Sequence, residues 1–380
     1  MEKSFIRGEK MYKIIAEKLF DGKRIIENTV ILFDKSGIQY IGKDNKIQTE
    51  KTFRAKFVTP GFIDLSSGIG LKEESLGQIE GNDLNEETNP VTPELMALDG
   101  INPYDESFPK TIRGGVLISL VLPGLSNSIG GRGAIIYNYG ETIENMLIKS
   151  PFGMRFSINS TPKSVYTKQR KMPMTRMGNA YLIRDAMYKA KEYGKNKEKK
   201  FSLKEESLLP VLNRKQKAFF AAFRADDITT SIRIAKEFNL DSVITFGTEA
   251  DLAMNTLKEN KVPVAYGPII LSRFGVELKH LSPKVPATLI ENNIETAIIS
   301  GHPFYPAEFL RIQLGLIISE GISPDKALAT VTSVPAKILG MRKNGVIKKG
   351  ASSDIVLFDG EPWETKTTVK SVFVKGTLIQ

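Results

Sequence analysis

The sequence predicts an α/β protein, a TIM (β/α)8 barrel carrying a composite β-sandwich domain built from both chain ends. Three observations predict it. Residues 11 to 58 and the C-terminal tail read as short strands punctuated by turn residues. The long stretch between them alternates short apolar strands with amphipathic helices. The chain is 380 residues long and 41% apolar. That length suits one large domain of about 250 residues with a smaller one appended. The expected boundaries are 10–57 with 340–380 for the β-domain and 58–339 for the barrel.

The N-terminal strands are Met11 to Ala16, Thr29 to Phe33, Gly37 to Ile41 and Phe53 to Phe57. Asp21-Gly22, Ser36-Gly37 and Ile41-Gly42 supply the turns. In the tail, Asp354 to Phe358 and Ser371 to Val374 are strand-like, with Asp359-Gly360 and Lys375-Gly376 as turns. Each stretch is too small to stand alone, so the two are expected to complete one another.

In the centre, Val116 to Val121 is a strand ending at Pro123-Gly124. Ile228, Ile232, Ala235 and Phe238 recur at helical spacing and define a core-facing stripe. Asp241 to Phe246 follows as a buried strand, then a helix over about Glu249 to Glu259. Val262 to Tyr266 and Ala297 to Ser300 are further strands, and Ala287 to Asn292 lies on a helix. Phe309 to Glu320 and Pro324 to Val331 are helices, the second with Ser323 at the N-cap and Pro324 at N1. Repeated βα units over roughly 280 residues fit a barrel better than a sandwich.

Composition excludes several chemistries. There is no cysteine, hence no disulfide, thiolate nucleophile or Cys-ligated zinc. The only histidines are His280 and His302, so a polyhistidine metal centre cannot form. The net charge of +10 is spread along the chain and densest over Lys189 to Lys204. That run reads as a solvated face, and no nucleic-acid motif accompanies it. No apolar run is long enough to span a membrane. Met1 to Lys10 lacks the apolar segment of a secretory signal, which gives a cytoplasmic expectation.

The segment Thr59-Pro60-Gly61-Phe62-Ile63-Asp64-Leu65-Ser66-Ser67-Gly68 resembles the first metal-binding motif of the amidohydrolase superfamily. The likeness runs from about Tyr12 to Ile379. It includes the helical block Ala327 to Gly340 and the return Gly345 to Leu357, where Ser353 replaces the usual alanine before Asp354. A narrower resemblance, to imidazolonepropionase-related members, rests on Asn82 to Glu86, Pro90 to Glu94 and Asp99. Asn102-Pro103, Gly114 to Val116, Pro123-Gly124, Asn127 to Gly131, Thr161 to Lys163, Val165-Tyr166 and Thr175 to Gly178 extend it.

The resemblance implies a hydrolase of carbon-nitrogen bonds whose metal lowers the pKa of bound water. At each motif the ligands fail. The first His-x-His pair is Ser66 and Gly68. A bridging glutamate position is Ser160. The second His-x-His is Ala221 and Phe223, before a retained Arg224-Ala225-Asp226-Asp227. The histidine before Gly247-Thr248-Glu249 is Phe246. The catalytic aspartate before His302-Pro303 is Gly301. Alanine and phenylalanine remove the need to satisfy buried imidazoles, so the pattern reads as a relaxed site. No metal or other cofactor is expected.

Two functional expectations follow. One is a pseudoenzyme that binds a small molecule or serves as a scaffold or regulator, as a homodimer or beside an active homologue. The other is a divergent hydrolase of cyclic amides or amidines using Asp64, Glu249 and His302. The structural alternatives are a strand-end Asp64 bonded to backbone amides, a helix-terminal Glu249 and a packed His302. Glu249 pairing with Arg224 across the barrel mouth is the functional alternative. Arg132, in a glycine-rich loop Gly130 to Gly133, joins Lys163, Arg176, Arg224 and His302 as a ligand-binding candidate.

Overall fold

A computed structural model describes residues 11–43, 48–74, 80–273 and 275–380. The N-terminal signal reading therefore lies outside the described residues. Two sheets organise the chain. The first has β1 (Tyr12–Phe20), β2 (Ile25–Asp34), β3 (Gly37–Gly42) and β4 (Lys51–Pro60) from one end. β13 (Ile355–Phe358), β14 (Val369–Val374) and β15 (Thr377–Leu378) come from the other. The order is β15-β14-β13-β4-β1-β2-β3, with β13 antiparallel to β4 at the seam. The sheet curls on itself. Phe33 of β2 meets Phe373 of β14 edge-on at 4.8 Å although three strands lie between theirs in sheet order. Ile14, Ile38, Val58 and Ile355 fill the rest of that core.

The second sheet is a near-closed barrel of eight strands. They are β5 (Phe62–Ser67), β6 (Val116–Val121), β7 (Ile129–Tyr137), β8 (Leu147–Ser157), β9 (Ala218–Ala222), β10 (Ser242–Phe246), β11 (Val264–Tyr266) and β12 (Thr296–Ile298). They neighbour one another in chain order. Near the closure, Asp64 of β5 bonds Ser300 beyond β12. The barrel departs from eight parallel strands at β7, which runs antiparallel to both β6 and β8.

Gly130 to Gly133 is therefore strand, not the loop expected from its glycines. A Cβ on Gly131 would lie 2.8 Å from the Leu95 carbonyl oxygen, and one on Gly133 would lie 2.6 Å from that of Val121. The glycines admit neighbouring backbone, as strand glycines do.

Helices cover the barrel. α1 (Ser107–Arg113) precedes β6, and α2 (Ile143–Met146) lies between β7 and β8. α3 (Ser160–Lys168), α4 (Arg176–Lys195) and α5 (Leu203–Leu212) separate β8 from β9. α6 (Ala225–Glu237), α7 (Met254–Asn260) and α8 (Lys284–Glu291) follow β9, β10 and β11. α9 (Ile312–Ser319), α10 (Pro324–Ala329) and α11 (Ser333–Leu339) follow β12.

The α6 stripe buries Ile228, Ile232 and Ala235 as its spacing predicts. α7 starts five residues later than expected from Glu249, at Met254. The intervening chain is tethered elsewhere: the Glu249 N–H and the Thr248 hydroxyl both donate to the Phe223 carbonyl. The segment from Phe309 begins as a 3₁₀ turn over Ala307–Phe309 before α9. Pro324 opens α10, but the Ser323 hydroxyl makes no capping hydrogen bond. Much of the lysine run lies on α4 and the turn after it, where Lys189, Lys195 and Lys199 pair with Asp185, Glu192 and Glu206. Among the described residues no helix is long and apolar enough to cross a membrane.

Candidate functional site

Chemistry in a barrel gathers at the C-terminal strand ends. Here that end holds an arginine. Arg155, near the end of β8, is 3% exposed. Its Nη2 donates to Ser66 Oγ at 2.9 Å, its Nη1 to Thr245 Oγ1 at 2.8 Å and its Nε to the Pro123 carbonyl at 3.2 Å. Among the described residues no carboxylate comes within ion-pair reach of it. Burial pulls its pKa down to about 9, so it stays cationic at neutral pH. The guanidinium lies 6.0 Å from the centre of the Phe246 ring. Phe246 in turn stacks on Phe223 with centroids 4.8 Å apart and planes 17° apart.

Phe246 holds φ at 76°, the left-handed region that a bulky residue rarely enters. Glycine follows it, also left-handed. Two of the positions read from the sequence as lost ligands, Phe223 and Phe246, thus form a stacked aromatic pair, and a third, Ser66, accepts from Arg155. Ala221 is fully buried in β9. Ser160 opens α3, and its N–H donates to Glu277 Oε1 at 2.6 Å. Gly68 and His302 are joined directly, the Gly68 N–H donating to the His302 carbonyl at 2.8 Å. A Cβ on Gly68 would lie 2.6 Å from Leu84 Cδ1, so no larger side chain fits there without displacement. Gly301 has φ 59°, and a Cβ there would press on Pro268.

Asp64 is fully buried. Its carboxylate accepts from the Ser300 hydroxyl, from the Ser300 N–H at 3.2 Å and from the Ser66 N–H at 3.4 Å. Burial nevertheless pushes its pKa up to about 6. The Ser300 hydroxyl also accepts from the His302 N–H at 3.0 Å, which links Asp64 to His302 through backbone. The His302 imidazole is 4% exposed, and neither ring nitrogen has a hydrogen-bond partner among the described residues. Burial lowers its pKa.

Arg155, His302, Phe246 and Gly301 line a residual cavity of about 20 Å³. A space of that size holds about one water.

Glu249 does not join them. Its Oε2 accepts from the Ala225 N–H, the first residue of α6, at 3.0 Å. Its Oε1 lies 3.7 Å from His280 Nε2. Glu249 thus serves a helix N-terminus, but that of α6 rather than its own helix. Arg224 pairs instead with Asp226 at 3.0 Å.

The cationic candidates converge on a different cavity. Ser160, Lys163, Arg176, Phe223, Arg224, Val276, Glu277 and Leu278 line a pocket of about 440 Å³ outside the aromatic pair. Arg176 is held by Asp227 at 2.5 Å. Lys163 has no carboxylate partner among the described residues. Arg132 stands apart on β7, donating to the Glu94 carbonyl at 2.8 Å. A cavity of about 480 Å³ beside Phe108, Asn138 and Ile379 lies near the N-terminal end of β6, away from the strand ends where chemistry gathers.

A hydrolytic metal does not fit this centre. Among the described residues no three His, Asp or Glu side chains are grouped to hold one. The donors that remain are engaged or single, and a fixed guanidinium occupies the space between them. Arg155, Ser300 and Thr245 were not singled out from the sequence. The available signal was an arginine, Gly153-Met154-Arg155-Phe156, inside an apolar strand.

The C-terminal part, residues 299–380, matches the Amidohydrolase family model. The chain is 24% identical over 359 residues to "Amidohydrolase tasK" of Hapsidospora irregularis, covering 84% of this chain and 36% of that protein. It is 29% identical over 144 residues to "Adenine deaminase 1" of Carboxydothermus hydrogenoformans, covering 36% of this chain and 23% of that one. It therefore spans about a third or less of the curated relatives it matches. A prolidase crystallised with n-methylphosphonate-l-proline shares the fold, with TM-score 0.62 at 14% identity over 98% of this chain and all of that one. The crystal structure of an amidohydrolase from Thermotoga maritima MSB8 superposes with TM-score 0.93 and 34% identity, over 97% of this chain and 99% of the other. Agreement of that extent, end to end, shows that the chain belongs to the amidohydrolase family.

Proposed function

We propose that this chain is a family member that has given up metal-dependent hydrolysis and works as a pseudoenzyme that binds a small ligand at the barrel mouth. One observation carries the reading. The buried Arg155 guanidinium, bonded to Ser66 and Thr245 under the Phe223–Phe246 stack, takes the place a metal and its water would need. About 20 Å³ beside it is too little for an organic substrate.

The mouth pocket is of ligand size. Its apolar wall of Phe223, Val276 and Leu278 faces Lys163, which has no carboxylate partner among the described residues, and this suits a small carboxylate with an apolar body. A regulatory or scaffolding role, as a homodimer or beside an active homologue, accords with this reading. The loop motifs from Asn82 to Gly131 support a place in the imidazolonepropionase-related branch. Hydrolysis of cyclic amides or amidines by Asp64, Glu249 and His302 is the competing reading. It is disfavoured because the Glu249 carboxylate is held at Ala225, away from the cavity that His302 lines.

Calorimetric titration of the intact chain with a panel of aliphatic and aromatic carboxylates tests the proposal. Binding is expected, with Lys163→Ala weakening it about tenfold, or roughly 1.4 kcal/mol. Affinity indifferent to that change, or metal-dependent turnover of a cyclic amide, would contradict it.

A further inference from the structure

We propose that the small cavity at the barrel centre binds a monatomic anion of halide size. It is separate from the mouth pocket and does not depend on what that pocket takes. Arg155 is a buried cation whose three hydrogen bonds all end on neutral oxygens. A guanidinium carries five N–H groups, so two remain for another acceptor. Buried charges are ordinarily paired, because low dielectric makes an unpaired one costly. Asp64 does not serve as the partner. Its carboxylate is engaged by Ser300 and the Ser66 N–H, and it makes no ion pair with Arg155.

The second observation is independent. His302 lines the same cavity, is 4% exposed and has both ring nitrogens without a partner. One N–H of a neutral imidazole is available to an anion there. The rest of the lining includes Leu84, Leu122, Leu125, Phe246 and Phe304 beside Ser66 and Ser67, and it brings no competing carboxylate. The volume of about 20 Å³ suits one species of about water size better than phosphate or a carboxylate. A water would fill the space and leave the charge uncompensated. A halide does both.

Crystals of the full chain soaked in bromide, with data collected on both sides of the bromine absorption edge, test the site. The expected result is an anomalous peak between Arg155 and His302. A peak equally strong below the edge would identify a metal and overturn both this inference and the metal-free reading. Peaks on surface lysines alone, an adventitious ion only, would overturn the halide site and leave the metal-free reading standing. So would a water in the cavity without anomalous signal.

In solution, chloride and bromide are expected to raise the Tm saturably over sodium gluconate at equal ionic strength. Arg155→Gln is expected to lose that rise. An equal rise in gluconate would overturn the site. If Arg155→Gln fails to fold, the bromide map of the unaltered chain decides alone.

Discussion

Asp64 and Arg155 are opposite charges buried in one barrel, and each is held by neutral hydroxyls rather than by the other. For Asp64 the consequence is a pH dependence whose sign is fixed. Its folded pKa of about 6 lies above the ordinary carboxyl value, so the folded state binds the proton more tightly. Stability from this group is complete below the unfolded pKa and is lost as pH rises toward 6 and beyond. Asparagine keeps an acceptor for the backbone N–H groups and carries no charge. Asp64→Asn is therefore expected to gain on the parent by roughly 2–3 kcal/mol between about pH 4 and pH 7. Denaturant melts of both proteins across that range check it, and parallel profiles would contradict it. Asp64, a candidate acid with a strand-end structural alternative in the sequence, has its carboxylate engaged by Ser300 and the Ser66 N–H. The aspartate was legible, because the Pro60-Gly61 and Ile63-Asp64 part of its motif is retained. Its partner was not, since Ser300 lies 236 residues away and only barrel closure brings it there. Arg155 was missed for a related reason. Comparing motifs finds which ligands are gone, but not which side chain has moved into their space.

At the scale of elements, the retained motifs turn out to brace loops. The Tyr166 hydroxyl donates to Asn127 Oδ1 at 2.6 Å, and Asn127 Nδ2 donates to Thr92 Oγ1 at 2.9 Å. The Ser126 N–H donates to Asn85 Oδ1 at 3.0 Å. Thr175 caps α4 by accepting from the Gly178 N–H. Residues picked out as family signatures thus tie neighbouring loops and helices together. Glu249 belongs with them, since its carboxylate takes the N–H of the first residue of α6. Glu249→Ala is expected to cost about 1 kcal/mol, the usual worth of a helix cap. Thermal unfolding measures it, and loss of a catalytic rate with no change in stability would contradict the assignment. Periodicity predicted α6 closely, because it buries a regular apolar stripe, and the short apolar run before Pro123-Gly124 predicted β6. It missed the strand character of β7, where glycines serve close approach rather than a turn.

For the whole molecule, the residue that ties the two sheets together is Asp354. Its Oδ2 accepts from the Tyr137 hydroxyl on the barrel at 3.0 Å, from Asn344 Nδ2 at 2.7 Å and from Ser352 Oγ at 2.8 Å. Its Oδ1 accepts from the Lys375 N–H after β14 at 2.8 Å. Phe62 stacks on Phe358 across the same junction at 5.9 Å. Asp354→Ala leaves four donors without their acceptor and is expected to cost about 2–4 kcal/mol. A loss below about 0.5 kcal/mol in chemical denaturation would show that the clasp is dispensable. Pairing of the two chain ends in one sheet was legible because neither end has enough strands alone. The curl that seats Phe33 on Phe373 was not, because it depends on how the sheet twists around its core.

On the proposed reading, the fixed Arg155 guanidinium stands where a hydrolytic metal would sit in this barrel. Metal per chain is to be counted in protein purified after zinc, manganese and iron are each offered during expression. Far less than one metal per chain is expected in all three. A near-stoichiometric metal that is lost when Asp64 and His302 are changed to alanine would contradict it.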